Sequence, residues 1–179
     1  PIVLTLSIDT NGRTMMGVTP SDIVKLQDKL STPITAYGTN CGLGASEVIA
    51  AIINMRSVAL ADGRDNILVA KGNCGIPQWN GGEICYSGTP ELMATYATMA
   101  IDAGARIVGG CCGTTPEHVA AMRTAIDNHN GDSPASIEEI ESVLGEISAG
   151  AKAQMRGDLS VAGGSVSGSR DKPARRRRR

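Results

Sequence analysis

Apolar residues fall in four short runs, each followed by a stretch whose apolar positions are three or four apart. The runs are PIVLTLSI (residues 1–8), PITAYGTN (33–40), NILVAKGN (66–73) and ARIVGGC (105–111). Short, rich in Ile, Val, Leu and Thr, and ended by Gly, Asn or Asp, they predict strands. The intervening stretches predict helices, with Ile23, Leu26, Gln27 and Leu30 on one face, then Val48, Ile52 and Met55, then Leu92, Tyr96 and Met99, then Val119, Met122 and Ile126. Three helix starts carry Thr-Pro with an acid within two residues of the Pro: Thr19-Pro20 with Asp22, Thr89-Pro90 with Glu91, and Thr115-Pro116 with Glu117. The Thr hydroxyl caps a free backbone N–H, Pro tolerates the first helical position, and the carboxylate meets the positive helix end. Gly104 stands where a C-terminal cap belongs.

Strands buried on both faces, each followed by a helix, imply α/β architecture with a parallel sheet. Four such units fit either an open doubly wound sheet or half of an eight-fold barrel. No G-x-G-x-x-G fingerprint follows the first strand, which weighs against the dinucleotide-binding form. After Asn130 the pattern changes: Ile137, Ile140, Leu144 and Ile147, with Glu138, Glu139 and Glu141 near the start, predict one appended amphipathic helix within residues 131–156. Residues 157–179 turn to Gly, Ser and charge and are expected to form a disordered basic tail.

Composition refines this picture. The 179 residues are 41% hydrophobic but only 2% aromatic, without Phe, so the core must be aliphatic. Seven of the 17 basic residues and one of the 18 acidic ones fall in the last ten positions, leaving an acidic body of ten basic and 17 acidic residues. That balance argues against nucleic acid as a partner, and the run Arg175 to Arg179 has no interleaved aromatics to stack on bases. No stretch approaches the ~20 apolar residues that span a bilayer, and the opening residues lead to the expectation of no secretory signal. Five cysteines at no secreted-framework spacing suit a reducing compartment, with the cytoplasm as the expectation. The opening on a strand-like run without Met suggests a piece of a longer chain.

The cysteines carry the chemistry. Cys111 and Cys112 sit among Gly109, Gly110 and Gly113 at a strand end, where the backbone is free to turn both sulfurs toward one point. Cys41 occupies the equivalent place after the second strand. Parallel β/α proteins build active sites at these carboxyl ends. Three converging thiolates make a soft-metal site with one open position, and zinc is the usual occupant. Such an electron-rich centre suits deprotonating an incoming thiol better than activating water. The competing readings are two small buried residues, or a disulfide between the vicinal pair.

GTNCG, then GARIVGGCCGTTPEHVAAM, with KGNCGIP and GTPELMATY between them, resembles the homocysteine S-methyltransferase family over residues 1–130. The resemblance implies the second half of a TIM (β/α)8 barrel, with Cys41, Cys111 and Cys112 as zinc ligands. It also implies methyl transfer to the thiolate of homocysteine, giving methionine, from betaine or a similar methyl-onium compound. A methylcobalamin donor on a separate partner or module is the alternative, and a non-catalytic fragment with a structural zinc is a third reading. Only four β/α units are present, so a missing first half or a second copy of the chain is an expected partner.

Asn40 and Asn73 precede cysteines in parallel positions and are candidates for hydrogen bonds around the metal or substrate. Asn is equally at home where a strand ends in a turn. Asp9 and Thr10, in the loop after the first strand, are candidates for substrate contact, with ordinary turn chemistry as the alternative. Cys74 and Cys85 are expected to be loop or core thiols, His118 a solvated or packing residue, and His129 an exposed one. The stretch IPQWNGGEICYSG is expected to be a long loop, serving as a lid or as a contact for the missing half.

Overall fold

A computed structural model describes residues 1–9 and 11–158. Four strands, β1 (Val3–Ser7), β2 (Ala36–Cys41), β3 (Ile67–Gly72) and β6 (Ala105–Gly110), form one parallel sheet in the order β1-β2-β3-β6. The order follows the chain and lacks the reversal that marks a doubly wound sheet. Helices α1 (Pro20–Leu26), α2 (Ala45–Ala61), α3 (Pro90–Ala103) and α4 (Pro116–Asp127) alternate with the strands.

Register sorts the strand residues into two faces. Leu4, Tyr37, Leu68 and Ala105 make one row, and Leu6, Thr39, Ala70 and Val108 the next. Apart from Thr39, these belong to or pack against the apolar core beneath the helices. The opposite face carries Thr5, Gly38, Val69 and Ile107, then Ser7, Asn40, Lys71 and Gly109. A register shift between Leu68 and Val69 leaves Arg106 as the extra residue of a bulge on β6 and keeps both faces consistent.

The Thr-Pro helix starts fold as their chemistry requires. Thr19 Oγ accepts from the Asp22 N–H at 3.1 Å, while the Asp22 carboxylate accepts from the Thr19 N–H at 2.9 Å. The Thr19 hydroxyl also donates to the Asp22 carboxylate at 2.7 Å, and that bond first, with the backbone N–H bond adding to it, holds the Asp22 carboxyl below its usual range. Thr89 Oγ accepts from the Leu92 N–H at 3.2 Å. At α4 the third capping residue is His118, whose Nδ1 accepts from the Thr115 N–H at 3.1 Å.

Helix α2 is the centre of the molecule. Its sequence, ASEVIAAIINMRSVALA, is apolar on more than one face, and such a helix needs cover on several sides. The sheet, α1 and α3 supply part of that cover. The rest comes from the segment expected as one appended helix, which instead forms two: α5 (Ile137–Leu144) and α6 (Ala149–Met155). Gly145, at φ 98°, ends α5, and Ser148 caps α6 through its hydroxyl. Glu141 fixes the corner, accepting from the Ile147 N–H at 2.9 Å and pairing with Lys152 at 2.7 Å. Ile140, Leu144, Ile147 and Ala151 are buried against α2 and its neighbours.

The stretch expected as a long loop also has regular structure. Strands β4 (Pro77–Asn80) and β5 (Glu83–Tyr86) pair antiparallel as a hairpin, turned by Gly81 and Gly82 at positive φ. Trp79 lies opposite Ile84, and both are exposed. Thr10 and the expected basic tail from residue 159 lie outside the described residues.

Candidate metal centre

Everything that distinguishes the site lies at the carboxyl ends of β2, β3 and β6. Cys41, the last residue of β2, has φ 53°, a left-handed conformation that a side chain with a Cβ rarely adopts. Such a residue stores roughly 1–3 kcal/mol and persists only where its surroundings impose it. Here they do. Gly42 passes so close to the end of β1 that a Cβ on it would lie 2.3 Å from the Ile8 carbonyl oxygen. The left-handed turn at Cys41 breaks the alternation of the strand at its last residue.

On the other side, the Cys111 N–H continues the β3–β6 ladder by donating to the Gly72 carbonyl at 2.8 Å. The chain then turns through Gly113, at φ 76°, where a Cβ would meet Cβ and Cγ of Tyr86 at 2.5 Å. Between the two cysteine loops, β3 ends in Gly72. Its N–H donates to the Tyr96 hydroxyl at 2.8 Å, and a Cβ there would meet the Tyr96 ring. Burial pushes the Tyr96 phenol above its ordinary range, so it stays protonated as a fixed strut under the site.

These turns bring the Sγ atoms of Cys41, Cys111 and Cys112 within 4.8 Å of one another, the first two half-buried and the third exposed. The Cys111 and Cys112 sulfurs are 3.9 Å apart. Cys41 and Cys111, with Cα atoms 5.7 Å apart, are joined as a disulfide. The bond falls on a pair other than the vicinal one weighed from the sequence. Reduced, the same residues offer three thiolate donors. A tetrahedral zinc with Zn–S bonds of about 2.3 Å holds its sulfurs about 3.8 Å apart, close to the Cys111–Cys112 separation, so the reduced cluster fits that ion in number and type of donors.

Asn73 ties the cluster together. Its Nδ2 donates to the Gly42 carbonyl at 3.1 Å and its Oδ1 accepts from the Cys112 N–H at 3.2 Å, so one buried carboxamide spans both cysteine loops. The Cys112 carbonyl in turn accepts from the Cys74 N–H at 2.9 Å. The Cys74 thiol is buried, points its sulfur at the Gly88 carbonyl at 3.3 Å, and has its pKa raised by burial. It stands apart from the trio. A hydrogen bond with the Cys112 sulfur, and then burial, raises the pKa of the Tyr86 phenol.

The remaining candidates sit further out. Asn40 Nδ2 reaches Ser7 Oγ at 3.4 Å on the sheet face away from the helices. Asp9 lies in the loop after β1, its N–H donating to the Arg13 carbonyl at 3.0 Å. His118 is buried: with Nδ1 accepting at the cap, its Nε2 donates to the Gly88 carbonyl at 3.3 Å. His129, expected to be exposed, is half-buried and contacts Asp102 through Nε2 at 2.7 Å. Tyr96 carried no functional signal in the sequence, since it sat in a helical apolar stripe, and Tyr86 stood out only as part of a candidate lid and not as a partner of Cys112.

Cavities of about 420 Å³ between α2 and α6 and about 370 Å³ at the amino-terminal ends of β3 and β6 lie away from the sulfurs. Among the described residues no helix is long and apolar enough to cross a membrane. Residues 1–126 match the protein family described as Homocysteine S-methyltransferase.

Proposed function

The chain belongs to the homocysteine S-methyltransferase family, and from that premise we propose that it supplies the thiol-activating site of a zinc-dependent methyl transfer from a methyl-onium donor to homocysteine. The observation that carries the reading is the convergence of three cysteine sulfurs from two strand-end loops. Cys41, Cys111 and Cys112 would hold the ion. Bound there, zinc supplies the positive charge that lets a thiol lose its proton near neutral pH.

The protein's own task is placement. Asn73, Tyr96 and the left-handed turn at Cys41 fix the three sulfurs before substrate arrives, so little reorganisation remains for the reaction. The homocysteine sulfur, having released its proton to solvent, attacks the donor's methyl carbon in line. The new C–S bond forms as the bond from methyl to the donor breaks, and the electron pair leaves with the donor. A methylcobalamin donor would satisfy the same balance. The exposure of Cys112 fits a site open to an incoming thiol. The Cys41–Cys111 disulfide is incompatible with this activity, and a reducing cytoplasm would keep the trio available.

The sheet order fits the second half of a (β/α)8 barrel. Among the described residues β1 and β6 each pair on one side only, and the face away from the helices exposes Val3 and Ile107. We take these edges to be where a first half of the barrel, or a second copy of the chain, completes the structure.

Zinc titration of the reduced chain against a chromophoric chelator tests the site. One equivalent should bind tightly, and both Cys41→Ser and Cys112→Ala should weaken it sharply. Undiminished stoichiometric binding in both variants would refute the metal reading and favour a non-catalytic fragment. Methionine formation, assayed with this chain alone and mixed with a first-half segment, then decides whether the site is complete.

A further inference from the structure

We infer that Lys71 binds the carboxylate of the thiol substrate, a role that rests on the function proposed above and adds a specificity determinant to it. Register places Lys71 in one row with Ser7, Asn40 and Gly109, on the sheet face turned away from the helices. Its neighbours in β3 confirm the side: Leu68 and Ala70 enter the core, and the helix-facing side of Gly72 is closed by Tyr96 and Ala45.

Cys111 follows Gly109 by two residues, and its N–H still donates to the Gly72 carbonyl, so the ladder continues that far. Lys71 and Cys111 therefore belong to one face of neighbouring strands, with the cysteine one row nearer the site. Two residues along a strand rise about 6.6 Å. That span is comparable to an extended homocysteine, from its sulfur across two methylenes and the α-carbon to the carboxylate.

The space beside Lys71 is open. A Cβ built on Gly109 would meet only the Lys71 Cγ, at 3.8 Å. Lys71 is exposed and makes no ion pair among the described residues. Charge points the same way. Three thiolates around a divalent ion leave net negative charge, and a substrate carboxylate brought close to them needs a cation to offset the repulsion. An ammonium on a flexible stem, one row away, provides it.

The test is calorimetric titration of the reduced, zinc-loaded full chain with homocysteine and with 3-aminopropanethiol, which lacks the carboxylate, with zinc content verified in every variant. The wild-type chain should favour homocysteine by about tenfold or more, the worth of a hydrogen bond to a charged group. Lys71→Met should abolish that preference while keeping zinc and the affinity for 3-aminopropanethiol, and Lys71→Arg should restore most of it. A preference that survives in Lys71→Met overturns the assignment and leaves the proposed function standing. Failure of the wild-type chain to bind either thiol overturns both.

Discussion

Asn73 accepts a hydrogen bond from the backbone N–H of Cys112 at 3.2 Å while its amide nitrogen holds the loop that follows Cys41. One side chain thus sets the distance between the two sources of sulfur. Asn73→Ala removes both bonds and leaves the Cys112 N–H and the Gly42 carbonyl without this partner. A supporting group of this kind typically changes metal affinity by about 10–100-fold. Asn73→Asp keeps an acceptor for Cys112 but puts an oxygen against the Gly42 carbonyl, so it should weaken zinc as well. Chelator competition on both variants, beside circular dichroism, measures the effect. Wild-type zinc affinity in Asn73→Ala would show that the cysteine loops hold themselves.

The sequence made the frame of this site readable and left its supports hidden. Strand-end glycines and the Cys-Cys pair are local signals, so a meeting of the three sulfurs could be expected from their places after two strands, while their assignment as one ligand set comes with the family resemblance. The strand order, which separates a barrel-like sheet from a doubly wound one, depends on long-range pairing that periodicity does not encode. Tyr96 is invisible for another reason: its spacing marks it as core, and only the meeting of α3 with the end of β3 turns its hydroxyl into a partner for Gly72. The division of the last helix was legible in principle, since Gly145 and Ser148 are a stop and a cap three residues apart. The continuous apolar spacing through Ile147 masked it.

The helix pair α5–α6 lies beyond the family match yet clasps the start of α2 and the loop after β1. The Ser148 N–H donates to the buried Glu47 carboxylate at 2.5 Å, Ser46 Oγ donates to the Glu146 carbonyl at 3.0 Å, and Gln154 Nε2 donates to the Gly12 carbonyl at 3.0 Å. Gly150 is the tightest point, because a Cβ there would lie 2.1 Å from the Asn11 carbonyl oxygen. Gly150→Val should destabilise the fold by about 1–3 kcal/mol, as overpacking does. It should also raise hydrogen exchange in the loop after β1. Denaturant unfolding and exchange on that variant check both effects, and protection unchanged in that loop would show that α6 merely covers the surface.

Acid should loosen the same corner. Bonds from the Ile147 N–H and then from Lys152 hold the Glu141 carboxyl below its ordinary range. Its folded pKa lies below its unfolded value, so its contribution is fully present above the ordinary carboxylate range, about 4.3 for Glu. That contribution is lost as pH falls through the folded value. Glu141→Gln should therefore lower the melting temperature at pH 7 and narrow its gap to the wild-type chain at pH 3. An equal gap at both pH values would rule out the titration of Glu141 as the cause.

Thiol reactivity separates the five cysteines by environment. Cys85 is exposed on the hairpin, Cys74 is buried with a raised pKa, and the trio shares one point. In the reduced, zinc-free chain at pH 7.5, iodoacetamide should modify Cys85 and Cys112 first and Cys74 last, because the thiolate is the reactive form and burial disfavours it. Zinc should then slow Cys112 while leaving Cys85 unchanged, since only ligands lose their free electron pairs to the ion. Peptide mass mapping with and without zinc gives each rate. Protection of Cys74 in place of Cys112 would move the metal to the neighbouring strand end, and equal rates with and without zinc would leave the trio as ordinary thiols.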